Sequence, residues 1–220
     1  MTQPEIQVFN SLASDYDAWF EQEGKLVFAS EVAALKQVLP LSARPWIEIG
    51  AGSGRFVQAL GIDVGLDPSG ELLKIAANRG AKVLLGKGEA APFREGTFGA
   101  AFLITSLCFM DSPERVLNDV ARILNSEGEI VLGLLLKHNP WGRFYQTKRD
   151  AGHRLYRYAT FHTYGEVVMR LIRAGFIVEK VISTLFQSPG GVNHIELPQP
   201  GFSADAGFTV ILAKKPGINK

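Results

Sequence analysis

The sequence predicts an α/β domain built on a mostly parallel sheet, with a helical extension in front and an antiparallel strand at its end, and three observations predict it. Short β-rich runs at 45–49, 62–66, 82–86, 98–104 and 129–136 alternate with segments punctuated as helices, the signature of βαβ units. Gly50, Gly52 and Gly54 follow the first run directly and precede a helix-like segment. That puts a sharp backbone turn at the carboxyl edge of the sheet, where open α/β sheets bind ligands. The last two runs, 176–186 and 208–213, have no clear helix between them, so they should pair as antiparallel neighbours at one edge.

The elements follow in order. Residues 5–20 and 24–38 read as helices, the second because Val27, Phe28, Val32, Leu35 and Leu39 recur at helical spacing before Pro40 stops the pattern. Ser69 can cap a helix ending near Gly80. Ser112 with Pro113 supplies an N-cap and a first-turn proline ahead of Val116, Leu117, Val120, Ile123 and Leu124, with Gly128 expected to end that helix. The apolar run Ile130 to Leu136 reads as a strand buried on both faces. Thr163 and Glu166 form a capping box for a helix reaching about Arg173, stopped by Gly175. No repeat or linker divides the chain. It is therefore read as one domain, 1–220: a helical cap at 1–40, a ligand-binding core at 41–136, a lid and helix at 137–175, and C-terminal strands at 176–220.

Composition narrows the class. The 220 residues are 46% hydrophobic and 20% charged, an ordinary globular balance, and the net charge of +1 offers no global field for a polyanion or a membrane surface. The first twenty residues carry Glu5, Asp15 and Asp17 without a basic start and apolar stretch, so no secretory signal is expected. The apolar runs fall well short of the roughly 20 residues that span a bilayer. The lone cysteine, Cys108, agrees with a reducing compartment and reads as a small buried hydrophobe. A cytoplasmic protein is expected. No metal site is, because one cysteine and four scattered histidines lack ligand spacing.

The chemistry concentrates in Ile47-Glu48-Ile49-Gly50-Ala51-Gly52-Ser53-Gly54. Glycines there admit a ligand against the main chain where a Cβ would collide. The second strand ends in Asp67, whose carboxylate can accept hydrogen bonds from both hydroxyls of a ribose. A phosphate-binding P-loop is excluded, since no Gly-Lys-Ser/Thr occurs. A dinucleotide loop wants Gly or Ala where Arg55 stands, and Glu48 argues against a pyrophosphate beside it. An acidic strand end suits a cationic ligand instead, such as the amino group of a methionine moiety. S-adenosylmethionine fits these features best.

With those residues in view, the chain resembles the class I methyltransferases, specifically the small bacterial group with the type 11 methyltransferase domain. Besides Glu48 to Gly54, the resemblance rests on Gly65-Leu66-Asp67-Pro68-Ser69, on Gly86 to Phe93, on Arg122 to Gly128, and more weakly on Tyr16 to Phe20. It implies a doubly wound, seven-stranded Rossmann-like sheet with an antiparallel final strand, and S-adenosylmethionine as cofactor. It also implies roles: Glu48 and the backbone of Gly50, Ala51, Gly52 and Gly54 for the methionine part, Asp67 for the ribose, Pro68 or its neighbour for the adenine face, and Gly88 with Glu89 for the adenine edge. Thr105 and Ser106 would border the reactive methyl, and Tyr16 would cover the cofactor. Two positions depart from the family pattern, Lys87 and Gly99, where acidic residues are common. The first puts the usual adenine contact in doubt, because a protonated lysine cannot accept a hydrogen bond.

On the substrate side, residues 137–164 are dense in aromatic and basic side chains, among them His138, Trp141, Tyr145, Lys148, His153, Arg154, Tyr156, Arg157 and His162. They lie where a lid would lie, and rings with interleaved cations suit an anionic or planar small molecule or a nucleobase. The same pattern also serves to solvate and pack a helix. Methyl transfer from a sulfonium relies largely on positioning, so no catalytic triad is required; among the histidines, His138 is the best candidate for a base. A small-molecule acceptor is expected, with no membrane partner and no nucleic acid. The alternatives are a non-catalytic S-adenosylmethionine-binding regulatory module and an RNA-modifying methyltransferase.

Overall fold

In the computed structural model, residues 2–217 are described; Met1 and residues 218–220, the outer ends of the expected cap and C-terminal segments, lie outside them. The sheet runs β1 (Trp46–Ile49), β2 (Val64–Asp67), β3 (Val83–Leu85), β4 (Phe98–Ile104), β5 (Leu124–Leu134), β6 (Ile177–Thr184), β7 (Gln199–Pro200) and β8 (Phe208–Lys214). The spatial order is β3-β2-β1-β4-β5-β8-β6-β7. Strands β1 to β5 pair in parallel, and β8 lies antiparallel to both β5 and β6. All seven expected strands are present, joined by the two-residue β7 on the β6 edge. The final run does not finish at the edge; it inserts between β5 and β6. The sequence shows why: Phe208 to Ala213, apolar but for Thr209, is entirely buried, while Ile177 to Val181 is exposed or half-buried, as an outer strand must be.

Helices cover both faces. Side chains of β4 alternate, with Ala100, Phe102 and Ile104 packing toward α3 (Lys25–Lys36), α4 (Arg55–Leu60) and α7 (Pro140–Asp150). Ala101 and Leu103 pack toward α6 (Pro113–Ile123) and α8 (Tyr164–Arg173). Phe102 and Leu103 are fully enclosed, each worth about 1.5–3 kcal/mol of burial. The expected caps form. Ser69 accepts from the Leu72 N–H at the start of α5 (Gly70–Asn78), Ser112 accepts from the Arg115 N–H, and Thr163 with Glu166 closes the reciprocal box.

Two boundaries differ from the sequence expectation. The first helix breaks at Leu12, whose φ of −110° leaves the helical region, giving α1 (Gln3–Ser11) and α2 (Ala13–Trp19). The helix capped by Ser112 ends at Ile123 rather than running to Gly128. Leu124 already pairs with Phe98 in the sheet, and the register shifts before Glu129 pairs with Ala100. Gly128 serves the return of that irregularity, since a Cβ there would lie 2.7 Å from the Leu124 Cβ.

Among the described residues, no helix is long and apolar enough to cross a membrane.

Candidate active site

The strand order reverses at β1: the chain proceeds outward through β2 and β3, then returns to place β4 on the other side. Loops leaving the carboxyl ends of β1 and β4 therefore diverge and open a crevice. The loop after β1 takes left-handed φ at Gly50 (79°), Gly52 (51°) and Gly54 (76°), a region costly for residues with a Cβ. Space enforces the same choice. A Cβ on Gly50 would lie 2.5 Å from the Ser106 Cβ across the crevice, and one on Gly54 would lie 2.8 Å from the Ala76 Cβ where α4 meets α5.

Asp67, at the end of β2, ties the loop down. Its two oxygens accept from the Gly52 N–H at 2.9 Å and the Ser69 N–H at 2.8 Å. Each carboxylate oxygen keeps a further lone pair, so the group can still receive two hydroxyl donors. Burial pushes the carboxyl up to about 6, against the two backbone donors that lower it. On the facing side, Ser106 donates to the Ile49 carbonyl at 2.9 Å, and Thr105 adopts a φ of 51° at the end of β4, the kind of backbone strain that collects at functional sites.

These groups line one cleft. Its walls include Tyr16, Gly50, Gly52, Asp67, Pro68, Lys87, Gly88, Glu89, Thr105 and Ser106. Apolar contributions come from Phe9, Leu72, Phe109 and Met110, which the sequence analysis did not single out because nothing in their local pattern separates them from core. Ala51 and Gly54 lie beneath the lining, Ala51 donating its N–H to the Leu66 carbonyl. Glu48 stands behind the loop rather than in the cleft wall. It is 1% exposed, and its Oε2 has no hydrogen-bond partner among the described residues. Burial and then the nearby Asp67 charge hold its carboxyl well above the usual range, while the Val57 N–H opposes them.

The helical cap is clamped to this loop by charge. Arg55, at the position that argued against a dinucleotide, donates from Nε to Asp17 at 2.8 Å and from Nη1 to Glu21 at 2.5 Å. Arg79 reaches the same Asp17 at 2.9 Å and also the Ser53 carbonyl. Asp17 thus bridges α2 to the residues flanking the glycine turn, and it carries its neighbour Tyr16 over the cleft. Burial, with the charges of Asp67, Glu31 and Glu48 added, keeps the Tyr16 phenol far above its ordinary range and therefore neutral.

Tyr16, Thr105 and Phe109 also line a second, larger cavity of about 630 Å³. It is enclosed by Trp19, Phe20, Val27 and Glu31 from the cap and by Trp141, Tyr145, Lys148, His153, Arg154, Tyr156 and Phe161 from the segment after β5. The aromatic part of that segment therefore faces inward. His138 does not: it is exposed and lines neither cavity. The adjoining N-cap residue Asn139 is buried with its amide on the Ala206 carbonyl, and Lys137 bonds back to the His162 carbonyl, which turns this corner outward. His162 lies in the wall of a separate small void. Cys108 borders the large cavity, and burial pushes its thiol up to about 12, which leaves no thiolate for attack.

The second departure, Gly99, has a steric cause. A Cβ there would sit 1.5 Å from the Ala43 carbonyl oxygen, because the chain entering β1 crosses directly over β4.

The family described as "Methyltransferase domain" matches residues 47–132. An uncharacterized protein of Methanocaldococcus jannaschii is 33% identical over 210 residues, 96% of this chain and 100% of that one. An uncharacterized protein of Mycobacterium tuberculosis is 39% identical over 203 residues, 91% of this chain and 71% of its own length. Among solved structures, a Thermotoga maritima SAM-dependent methyltransferase, described as a possible histamine N-methyltransferase, superposes with a TM-score of 0.90 at 32% identity, covering 96% of this chain and 100% of that one.

Proposed function

The chain belongs to the S-adenosylmethionine-dependent methyltransferase family, and from that premise we propose that it methylates a small molecule bound in the cavity of about 630 Å³. The cofactor is S-adenosylmethionine. The cleft suits it on this chain's own terms. Asp67 offers two acceptor sites for ribose hydroxyls, the glycine turn has no side chain to obstruct a ligand, and the Oε2 of Glu48, left without a partner among the described residues, is an acceptor for a donor such as a methionine ammonium. Pro68, Leu72 and Phe9 provide an apolar surface for adenine, with Gly88 and Glu89 at its edge and Lys87 beside them.

The bound cofactor supplies a methyl group on a sulfonium, which an acceptor lone pair displaces in line. The protein's share is positioning. Thr105, Phe109 and Tyr16 belong to both cavities, so a ligand in the larger one meets the cofactor cleft at those three residues. The cavity, walled by aromatic side chains, has room for an acceptor of limited size, which is the observation that supports the small-molecule assignment over RNA. An amine acceptor is in keeping with the description of the Thermotoga maritima protein.

Calorimetric titration with S-adenosylhomocysteine tests the cofactor site: saturable binding is expected, weakened at least tenfold by Asp67→Ala. A methyl-transfer assay across small molecules and a tRNA pool tests the acceptor. Turnover only with RNA, or binding without turnover on any acceptor, would overturn the small-molecule proposal.

A further inference from the structure

Glu31 occupies an unusual place. It lies on α3, four residues after Val27 and four before Leu35, and therefore on the helix stripe that faces the interior. The side chain is 5% exposed. Among the described residues it has neither a hydrogen-bond partner nor a salt bridge, yet it lines the large cavity. The same cavity is lined by Tyr16, Trp19, Phe20, Tyr145 and Phe161, and the Glu31 charge bears on the Tyr16 and Tyr145 phenols. A buried carboxylate without a partner is strongly unfavourable and shifts toward its neutral form. Burial pushes this one up to about 8.

The other charged groups of the cavity do not supply the missing cation. Lys148 sits over the Phe144 and Tyr145 rings at 4.6 and 5.8 Å, and Arg154 reaches the Ser11 hydroxyl at 3.4 Å. His153 accepts from the Leu155 and Tyr156 N–H groups, and burial followed by the Lys148 charge lowers its affinity for a proton. Asp15 and Glu23 are exposed and add only negative charge at the rim. Burial holds Tyr145, Tyr156 and Cys108 above their ordinary values, so the phenols and the thiol are neutral. The interior thus presents one unpaired acid among ring faces, which attract cations and reject hydrated anions.

Resting on the reading of this cavity as the acceptor pocket, we infer that the acceptor is a small organic amine anchored by its ammonium, which pairs with Glu31 between the aromatic walls, while a separate atom of the molecule carries the lone pair that takes the methyl group. Glu31 then determines specificity: a charged nitrogen gains an ion pair beside a largely buried acid, whereas a neutral isostere leaves the acid unpaired and an anionic one meets repulsion. Seating the ammonium converts Glu31 from acid to carboxylate, and the displaced proton leaves to solvent.

The test uses the full chain saturated with S-adenosylhomocysteine, titrated calorimetrically with 2-phenylethylamine and with 2-phenylethanol at pH 7, in two buffers of different ionisation enthalpy. A carboxyl with its midpoint near 8 is about nine-tenths protonated at that pH, so about 0.9 proton should be released per amine bound. The amine should bind at least tenfold tighter than the alcohol. Glu31→Gln, which keeps the shape of the neutral acid, should abolish both the preference and the proton release while leaving the thioether affinity within twofold. Equal binding of amine and alcohol, absence of amine binding, or a Glu31→Gln variant that retains the preference would each overturn the inference. Failure of the thioether itself to bind would instead remove the methyltransferase reading beneath it.

Discussion

Replacing Asp17 by alanine should uncouple the helical cap from the cofactor loop. The carboxylate, 17% exposed, receives Arg55 at 2.8 and 3.1 Å and Arg79 at 2.9 and 3.1 Å, from guanidinium side chains that are themselves only 10% and 17% exposed. Fully buried pairs cost about 3–5 kcal/mol to break and exposed ones at most about 1. This site lies between those limits. Arg55 keeps Glu21 and the Asp17 carbonyl, and Arg79 keeps the Ser53 carbonyl, so the expected loss is about 2–3 kcal/mol in urea unfolding at pH 7. Because Tyr16 adjoins Asp17 and lines the cleft, S-adenosylhomocysteine affinity should also fall, by about tenfold if 1.4 kcal/mol of that loss is felt on binding. Acid gives an internal control. Burial alone would raise the Asp17 pKa, but hydrogen bonds from Arg55, Ser53 and Arg79 hold it below 3.8. Its contribution is therefore present above that value and lost as pH falls through the lower folded one, and the gap between wild type and variant should narrow as pH falls below 3.8. A variant within about 0.5 kcal/mol of wild type, or one destabilised with unchanged thioether affinity, would refute the clamp.

Three further outcomes are expected. Gly99→Asp, which installs the acidic residue common in the family, should destabilise the fold by at least about 3 kcal/mol in denaturant unfolding, because the Cβ meets the Ala43 carbonyl at 1.5 Å. Ser112→Ala removes the acceptor for the Arg115 N–H and should cost about 1 kcal/mol in thermal unfolding without changing thioether affinity. Glu31 has a folded pKa of about 8 against an ordinary 4.5, so the native state binds its proton more tightly than the unfolded chain does. The stability this gives is present below 4.5 and lost as pH rises toward 8, and Glu31→Gln should flatten the decline between pH 5 and 9 by up to about 5 kcal/mol. A parallel pH profile for the two proteins would contradict that.

Much of the architecture was legible because it rests on local chemistry. Ser69, Ser112 and Thr163 cap where their side chains predict, and the left-handed turn falls on Gly50, Gly52 and Gly54. Boundaries set by pairing were not legible. Leu124 continues a helical stripe in sequence but is taken by the sheet opposite Phe98. Arg55 first read only as a mismatch to a nucleotide loop, yet it is the anchor of the cap. Glu31 carried a readable signal, an acid on an apolar stripe between Val27 and Leu35, but its meaning depends on rings contributed from α2 and α7.

By itself, then, the sequence determined the alternation of elements, the turn chemistry, the acidic strand ends and the family, because each depends on residues close together along the chain. The tertiary structure decided which groups face a common space. His138 turns outward and Trp141 inward, Glu48 stands behind the loop, and β8 enters between β5 and β6. Those outcomes follow from long-range packing, in which a side chain's surroundings come from elements distant in sequence, and no local pattern encodes them.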